Sequence, residues 1–230
     1  MSQLKLIIGN KNYSTWSLRP WVFMCQNNME FDEELVSLFV EETDDKLSAY
    51  DSDFKVPVLQ DGDLTVWDSL SILEYLSENY LDGGGYPEDV KARALARSIS
   101  NEMHSSFFNV RNELPMNCRK KFSNIELSDG AKQEVARIVD IWTMCRVEFG
   151  KGGEWLFGRY SIADAMFAPI AIRLAGYSIQ LDGVAEAYVQ SVLRQPCIID
   201  WMKQGRMEKE IIDEDEIDVT GGVKVESWVG

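Results

Sequence analysis

The apolar run Leu4-Lys5-Leu6-Ile7-Ile8, closed by Gly9-Asn10, predicts a short and largely buried strand. The apolar-rich stretch from Leu18 to Asn28 suits a helix, with Pro20 in its first turn, where a missing N–H costs nothing. A second strand is expected around Glu34-Leu35-Val36-Ser37-Leu38, which completes the opening of a βαβ unit. Lys55–Leu59 and Leu64–Trp67 flank Asp61-Gly62-Asp63, a hairpin turn signal, so these two runs should pair antiparallel. Pro57 cannot donate to a ladder and belongs at the start of the first of them. Ile72, Leu73, Leu76 and Tyr80 then share one face of a helix capped by Asp68 or Ser69.

Past Tyr80 the pattern changes. Leu81-Asp82-Gly83-Gly84-Gly85-Tyr86-Pro87 reads as a linker, and strand signals stop there. Val90 to about Arg111 suits a long helix, ended by Pro115 and the polar run Asn117–Lys121. Ala131, Val135, Ile138, Val139, Trp142 and Phe149 recur at helical spacing. A helix opened by Ser161 turns Met166, Phe167, Ile170 and Leu174 inward. Pro169 lies inside it and implies either a kink or a neighbour that satisfies the freed carbonyl. Two shorter helices flank Gln195-Pro196. From about Met207 the chain turns acidic and then Gly-rich, a tail that either wraps the domain or stays partly disordered. The division expected is 1–81 for a domain mixing strands and helices, 82–90 for a linker, 91–207 for an all-α domain and 208–230 for the acidic tail.

At 230 residues, 45% of them hydrophobic and seven of them Trp, the chain suits two modest domains sharing an interface. A net charge of −15 argues against nucleic-acid partners, which need a basic stripe, and against anionic membrane surfaces. The acidic runs at Glu41–Asp45 and Glu214–Glu216 are read as solubilising. Cys25, Cys118, Cys145 and Cys197 follow no metal or redox spacing. With no signal peptide and no long apolar span, the expectation is a cytoplasmic protein with free thiols. No metal site, P-loop or dinucleotide fingerprint is encoded.

Candidate chemistry sits in three segments. Tyr13-Ser14-Thr15-Trp16-Ser17 follows the first strand, and hydroxyls there can reach the carboxyl end of the sheet, where open α/β sheets bind ligands. Lys55-Val56-Pro57-Val58 brings an X-Pro bond to the start of a strand, a candidate cis bond that would turn the Val56 backbone outward to a peptide ligand. Asp68-Ser69 opens a helix whose free N–H groups accept a carboxylate, while Asp68 can pair with an ammonium; together they recognise an α-amino acid group. Each segment has a plainer reading as ordinary capping. His104, the only histidine, together with Met103, Phe107, Phe108 and Arg111, either faces a second substrate or serves packing.

The order β-α-β, Val-Pro, hairpin and Asp-Ser-helix resembles the thioredoxin-like domain of cytosolic glutathione S-transferases. In the second half, Trp155-Leu156-Phe157-Gly158 followed by Ser161-Ile162-Ala163-Asp164 resembles that family's capping box. Asn101–Ser105 through Leu114–Asn117 is similar to a run in bacterial members, and the resemblance covers about residues 4 to 205. Tyr13–Ser17 is closest to the serine-type pattern of zeta-like enzymes, with Ser14 and Thr15 on their two serines and Trp16 where they carry Cys. That departure argues against cysteine-dependent chemistry.

The resemblance implies an α/β thioredoxin-like domain followed by an all-helical one, with glutathione as co-substrate held by Ser14, Lys55, Val56, Pro57, Asp68 and Ser69. Ser14 or Thr15 would donate to its sulfur. The function implied is a detoxifying transferase, a two-fold homodimer, that conjugates glutathione to small electrophiles near His104, Phe108 and Arg111. Alternatives are a glutathione-dependent cis–trans isomerase of the maleylacetoacetate type and a binding module without turnover.

Overall fold

A computed structural model describes residues 4–50, 52–220 and 222–228. The first half holds strand β1 (Leu4–Ile8), helix α1 (Thr15–Gln26), β2 (Phe31–Leu35), the short α2 (Thr43–Leu47), β3 (Val58–Asp61), β4 (Leu64–Val66) and α3 (Ser69–Tyr80). The sheet order is β2-β1-β3-β4; β1 and β2 run parallel, and β3 is antiparallel to both β1 and β4. This is the thioredoxin-like domain expected from the sequence.

Boundaries shift for physical reasons. The strand expected over residues 34–38 lies at Phe31–Leu35, in register with β1 from Leu4↔Phe31 to Ile8↔Leu35. It is an edge strand, so its charged residues, Asp32, Glu33 and Glu34, fit its position better than an apolar pattern would. Helix α1 begins three residues before the apolar stretch because the Ser14 side chain accepts from Ser17 N–H at 3.4 Å and caps it. Pro20 therefore falls inside the helix and not in its first turn.

The second half carries α4 (Val90–Ser105), α5 (Phe108–Glu113), β5 (Lys120–Ser123), α6 (Asp129–Glu148), α7 (Ile162–Gly176), α8 (Gly183–Leu193) and α9 (Pro196–Met207). The helix expected to run from Val90 to Arg111 is two helices. Phe107 takes a left-handed backbone (φ +63°), and the Arg111 guanidinium turns back to donate to the carbonyls of Met103, His104 and Ser106. Those carbonyls, the last of α4, have no partner within the helix, so the arginine caps the one it follows.

Helix α7 is buried nearly all round and packs against α1, α4 and α8. One apolar core thus runs through both halves, from Leu6 and Leu18 to Trp142 and Trp201. At its N-terminus the capping box is closed: Asp164 accepts from Ser161 N–H at 2.9 Å and from Leu156 N–H at 3.0 Å.

Two expectations are corrected. The second half is not free of strands: β6 (Lys224–Ser227), from the tail, pairs with β5 in an antiparallel ribbon. The tail wraps the molecule. Glu208 accepts from the N–H groups of Lys11 (2.6 Å) and Asn12 (3.0 Å), and Arg119 donates to the Glu208 carbonyl at 3.0 Å.

Nor are all four thiols free. Cys25, near the end of α1, is bonded to Cys197, in the first turn of α9, with Cα atoms 6.1 Å apart. Sequence spacing could not show this, because the two lie 172 residues apart and meet only when α1 packs on α9. Cys118 and Cys145 are buried, and burial pushes both thiols up to about 12.

Candidate active site

A cleft of about 990 Å³ separates the sheet-bearing half from the helices. Ser14, Thr15 and Trp16 reach it from the start of α1, Lys55, Val56 and Pro57 from the segment before β3, and Trp67, Asp68 and Ser69 from the start of α3. The helical half contributes His104, Phe108 and Arg111. Ser14, Thr15, Lys55, Val56, Pro57, Asp68, Ser69, His104, Phe108 and Arg111 therefore line one space, whereas Ser17, Val58, Met103 and Phe107 do not line it. The Val56–Pro57 bond is cis.

Ser14 does two things here. Its Oγ caps α1 and donates to Ser17 Oγ at 2.8 Å, and Ser17 Oγ in turn accepts from Gly9 N–H at 3.0 Å. Both Ser14 and Thr15 are buried at the cleft wall. Tyr13 is otherwise engaged: its hydroxyl donates to Glu216 at 2.7 Å and accepts from Arg119, and burial followed by the Glu216 contact pushes it up to about 12. It stays a neutral phenol at physiological pH.

Asp68 caps α3, with Oδ1 accepting from Leu70 N–H at 3.0 Å and Ser71 N–H at 3.3 Å. Its Oδ2 is bonded to His104 Nε2 across the cleft. His104 also meets Trp16 edge-on, with ring centroids 5.3 Å apart. Lys55 pairs at 2.5 Å with Asp53, both exposed to solvent. Met103 and Phe107 belong to the core, as their packing reading has it.

Three arginines gather around this wall. Arg19, on α1, is 1% exposed; it donates to Ser69 Oγ at 3.3 Å, and its guanidinium lies 4.2 Å from the centre of the Trp16 ring. The Arg111 guanidinium lies 4.8 Å from the same ring. Arg173, on α7, also lines the cleft, beside Asn112 and Asp215. Burial, and then the charges of Arg111 and Arg173, push Arg19 down; burial and Arg111 push Arg173 down to about 10. Arg173 remains a cation at neutral pH.

Sequence reasoning missed Asn112, Arg173 and Asp215. Arg173 left a signal: besides Asp164, which its capping box explains, it is the one charged residue in the otherwise apolar Ile162–Gly176. A charge has no reason to stand in the most buried helix of a molecule unless something faces it.

A thioredoxin-like domain is thus joined to a mainly helical one, with a hydroxyl-lined cleft between them. Residues 13–79 match the family profile described as glutathione S-transferase, N-terminal domain. The chain is similar to a dichloromethane dehalogenase of Methylophilus leisingeri, 43% identical over 60 residues, 25% of this chain and 22% of that one. It is similar as well to a probable maleylacetoacetate isomerase of Caenorhabditis elegans, 32% identical over 100 residues, 44% of this chain and 47% of that one. The chain thus spans about a fifth and about half of these two relatives. In fold it is similar to a Burkholderia glutathione transferase homologue solved with bound glutathione, at a TM-score of 0.67 and 22% identity, over 90% of this chain and 100% of that one.

Proposed function

We propose that the protein is a glutathione transferase that binds glutathione against its first half and adds the sulfur to a small electrophile lodged against its helices. The observation that carries this reading is the convergence of Ser14-Thr15, Val56-Pro57 and Asp68-Ser69 on one cleft wall. With the Leu70 and Ser71 N–H groups held by Asp68, the Ser69 N–H and hydroxyl suit the carboxylate of the γ-glutamyl end, and Asp68 suits its ammonium. The Val56 backbone suits the peptide's own amide.

The chemistry asked of the protein is small. A free thiol titrates near 8.5, and only the thiolate is a good nucleophile. A hydroxyl that donates to sulfur favours the charged form, and a lowering of about two units is worth roughly 2.7 kcal/mol. Ser14 is the donor proposed, with Thr15 next; Ser14 would trade its bond to Ser17 for one to the sulfur. The hydroxyl keeps its own proton, so no histidine base is needed.

A cytoplasmic homodimer working in detoxification is the setting that fits this chemistry. The resemblance to a probable maleylacetoacetate isomerase supports a second reading, in which the same thiolate adds reversibly and isomerises its partner. An ultraviolet difference titration with glutathione at neutral pH tests the shared step. Saturable thiolate absorbance supports both enzymatic readings, and its absence in folded protein overturns them. Net consumption of glutathione during turnover then separates transfer from isomerisation.

A further inference from the structure

We propose that the second substrate carries a carboxylate, received on the helical side of the cleft by Arg111 and Arg173. This deepens the glutathione reading and rests on it. The chain carries a net charge of −15, yet its cleft is lined by Arg111 and Arg173, with buried Arg19 against the Trp16 ring that also lines it. Among the described residues no carboxylate lies within ion-pair distance of Arg19, Arg111 or Arg173. The chain has acid to spare and spends none of it here in direct contact.

The arginines' structural duties leave donors over. Among the described residues Arg173 donates only from Nη1, to the carbonyls of Arg111 (3.0 Å) and Leu114. Arg111 uses Nε and Nη2 on the end of α4. A guanidinium has five N–H groups arranged as a fork that fits a carboxylate. Arg173 Nε and Nη2 and Arg111 Nη1 have no acceptor among the described residues, and Arg111, Asn112 and Arg173 line the same cleft. Arg111 and Arg173 also repel one another, a cost that an incoming anion relieves.

The tail supplies a second, independent observation. Asp213–Asp215 forms a single 3-10 turn that brings Asp215 to this wall, where it faces Arg173 without forming an ion pair. Its neighbour Glu216 is held by Tyr13 (2.7 Å), Asn117 (3.2 Å) and Lys120 (2.6 Å), so Asp215 is held in place. Among the described residues Asp215 is the carboxylate whose charge acts on Arg173. A substrate carboxylate would compete with it for that cation.

The test compares ethacrynic acid, an electrophile with a carboxylate, with its methyl ester. In either, the glutathione sulfur bonds to the terminal alkene carbon, the alkene electron pair moves toward the ketone, and the resulting enolate takes up a proton. The ratio of kcat/KM for acid over ester should be about tenfold or more in the wild type. Arg173→Gln and Arg111→Gln should lower that ratio about tenfold, through a raised KM for the acid. Asp215→Asn removes the competing charge without touching the buried arginines and should raise the ratio a few-fold, which keeps the test decisive if the arginine variants misfold. A wild-type ratio at or below one, or a ratio unmoved in folded variants, overturns the proposal while glutathione thiolate absorbance persists. Loss of that absorbance in the wild type overturns the glutathione reading instead.

Discussion

His104 Nε2 is bonded to Asp68 Oδ2, tying α4 of the helical half to the residue that caps α3 in the other. With Oδ1 committed to Leu70 and Ser71, Asp68 has no idle oxygen. A γ-glutamyl ammonium bound there must share Oδ2 with His104 or displace it. His104→Ala should therefore tighten glutathione a few-fold in calorimetric titration, and weakened binding would show that His104 touches the ligand itself. Asp68→Asn keeps a capping oxygen and loses the charge, so glutathione should weaken about tenfold or more while thermal stability changes little.

Ser14 is asked to cap a helix and to meet a sulfur, and the two duties separate experimentally. Ser14→Ala should lose about 1 kcal/mol of stability, the usual cost of an N-cap. It should also lower kcat/KM about a hundredfold, the equivalent of roughly 2.7 kcal/mol. Thr15→Ala removes no cap and should cost less than tenfold. If Ser14→Ala shows only the stability loss and Thr15→Ala shows the rate loss, the sulfur donor is Thr15. Thermal melts and steady-state rates on the two variants decide it.

The Cys25–Cys197 bond closes a loop with a sequence separation of 172 residues, so on the chain-entropy account it restricts the unfolded chain by up to about 5 kcal/mol. Thiol titration of protein denatured without reductant should find two reactive groups, Cys118 and Cys145, and four after reduction. Cys197→Ser should lower stability by several kcal/mol. Four reactive thiols without reductant would show the bond to be absent from the protein as isolated.

Legibility in the sequence followed the range of the interactions. The Ser161–Asp164 box, the Asp68 cap and the Gly62 turn are local, and each is realised within a few residues of its signal. The break between α4 and α5 was invisible because Arg111 does the capping from seven or eight residues away. The disulfide, the β5–β6 ribbon and the approach of Asp215 to Arg173 join positions dozens of residues apart or more. Nothing in the neighbourhood of Lys120 announces that Lys224–Ser227 will pair beside it. For the cleft, the first-half residues were legible because their motifs are contiguous, and Arg173 was missed because a single charge in an apolar helix points to no partner.

Asp164 offers a pH signature. It is 1% exposed, and burial pushes its carboxyl up to about 6 although Leu156, Ser161 and Tyr188 all donate to it. A carboxyl raised in the folded state holds its proton there when the unfolded chain, titrating near 3.9, has already released it. Its contribution to stability is therefore greatest below about pH 4 and is lost as pH rises through 6, by up to about 3 kcal/mol. Glu34, held low chiefly by Lys5, acts in the opposite sense and loses its contribution as pH falls below the ordinary glutamate range. Between pH 4.5 and 7 the Asp164 effect is best isolated by difference against Asp164→Asn, which carries no titration and is less stable throughout. Denaturant melts should show the wild-type advantage shrinking by about 2 kcal/mol as pH rises across that window. A constant difference would mean that the hydrogen bonds keep Asp164 ionised in spite of its burial.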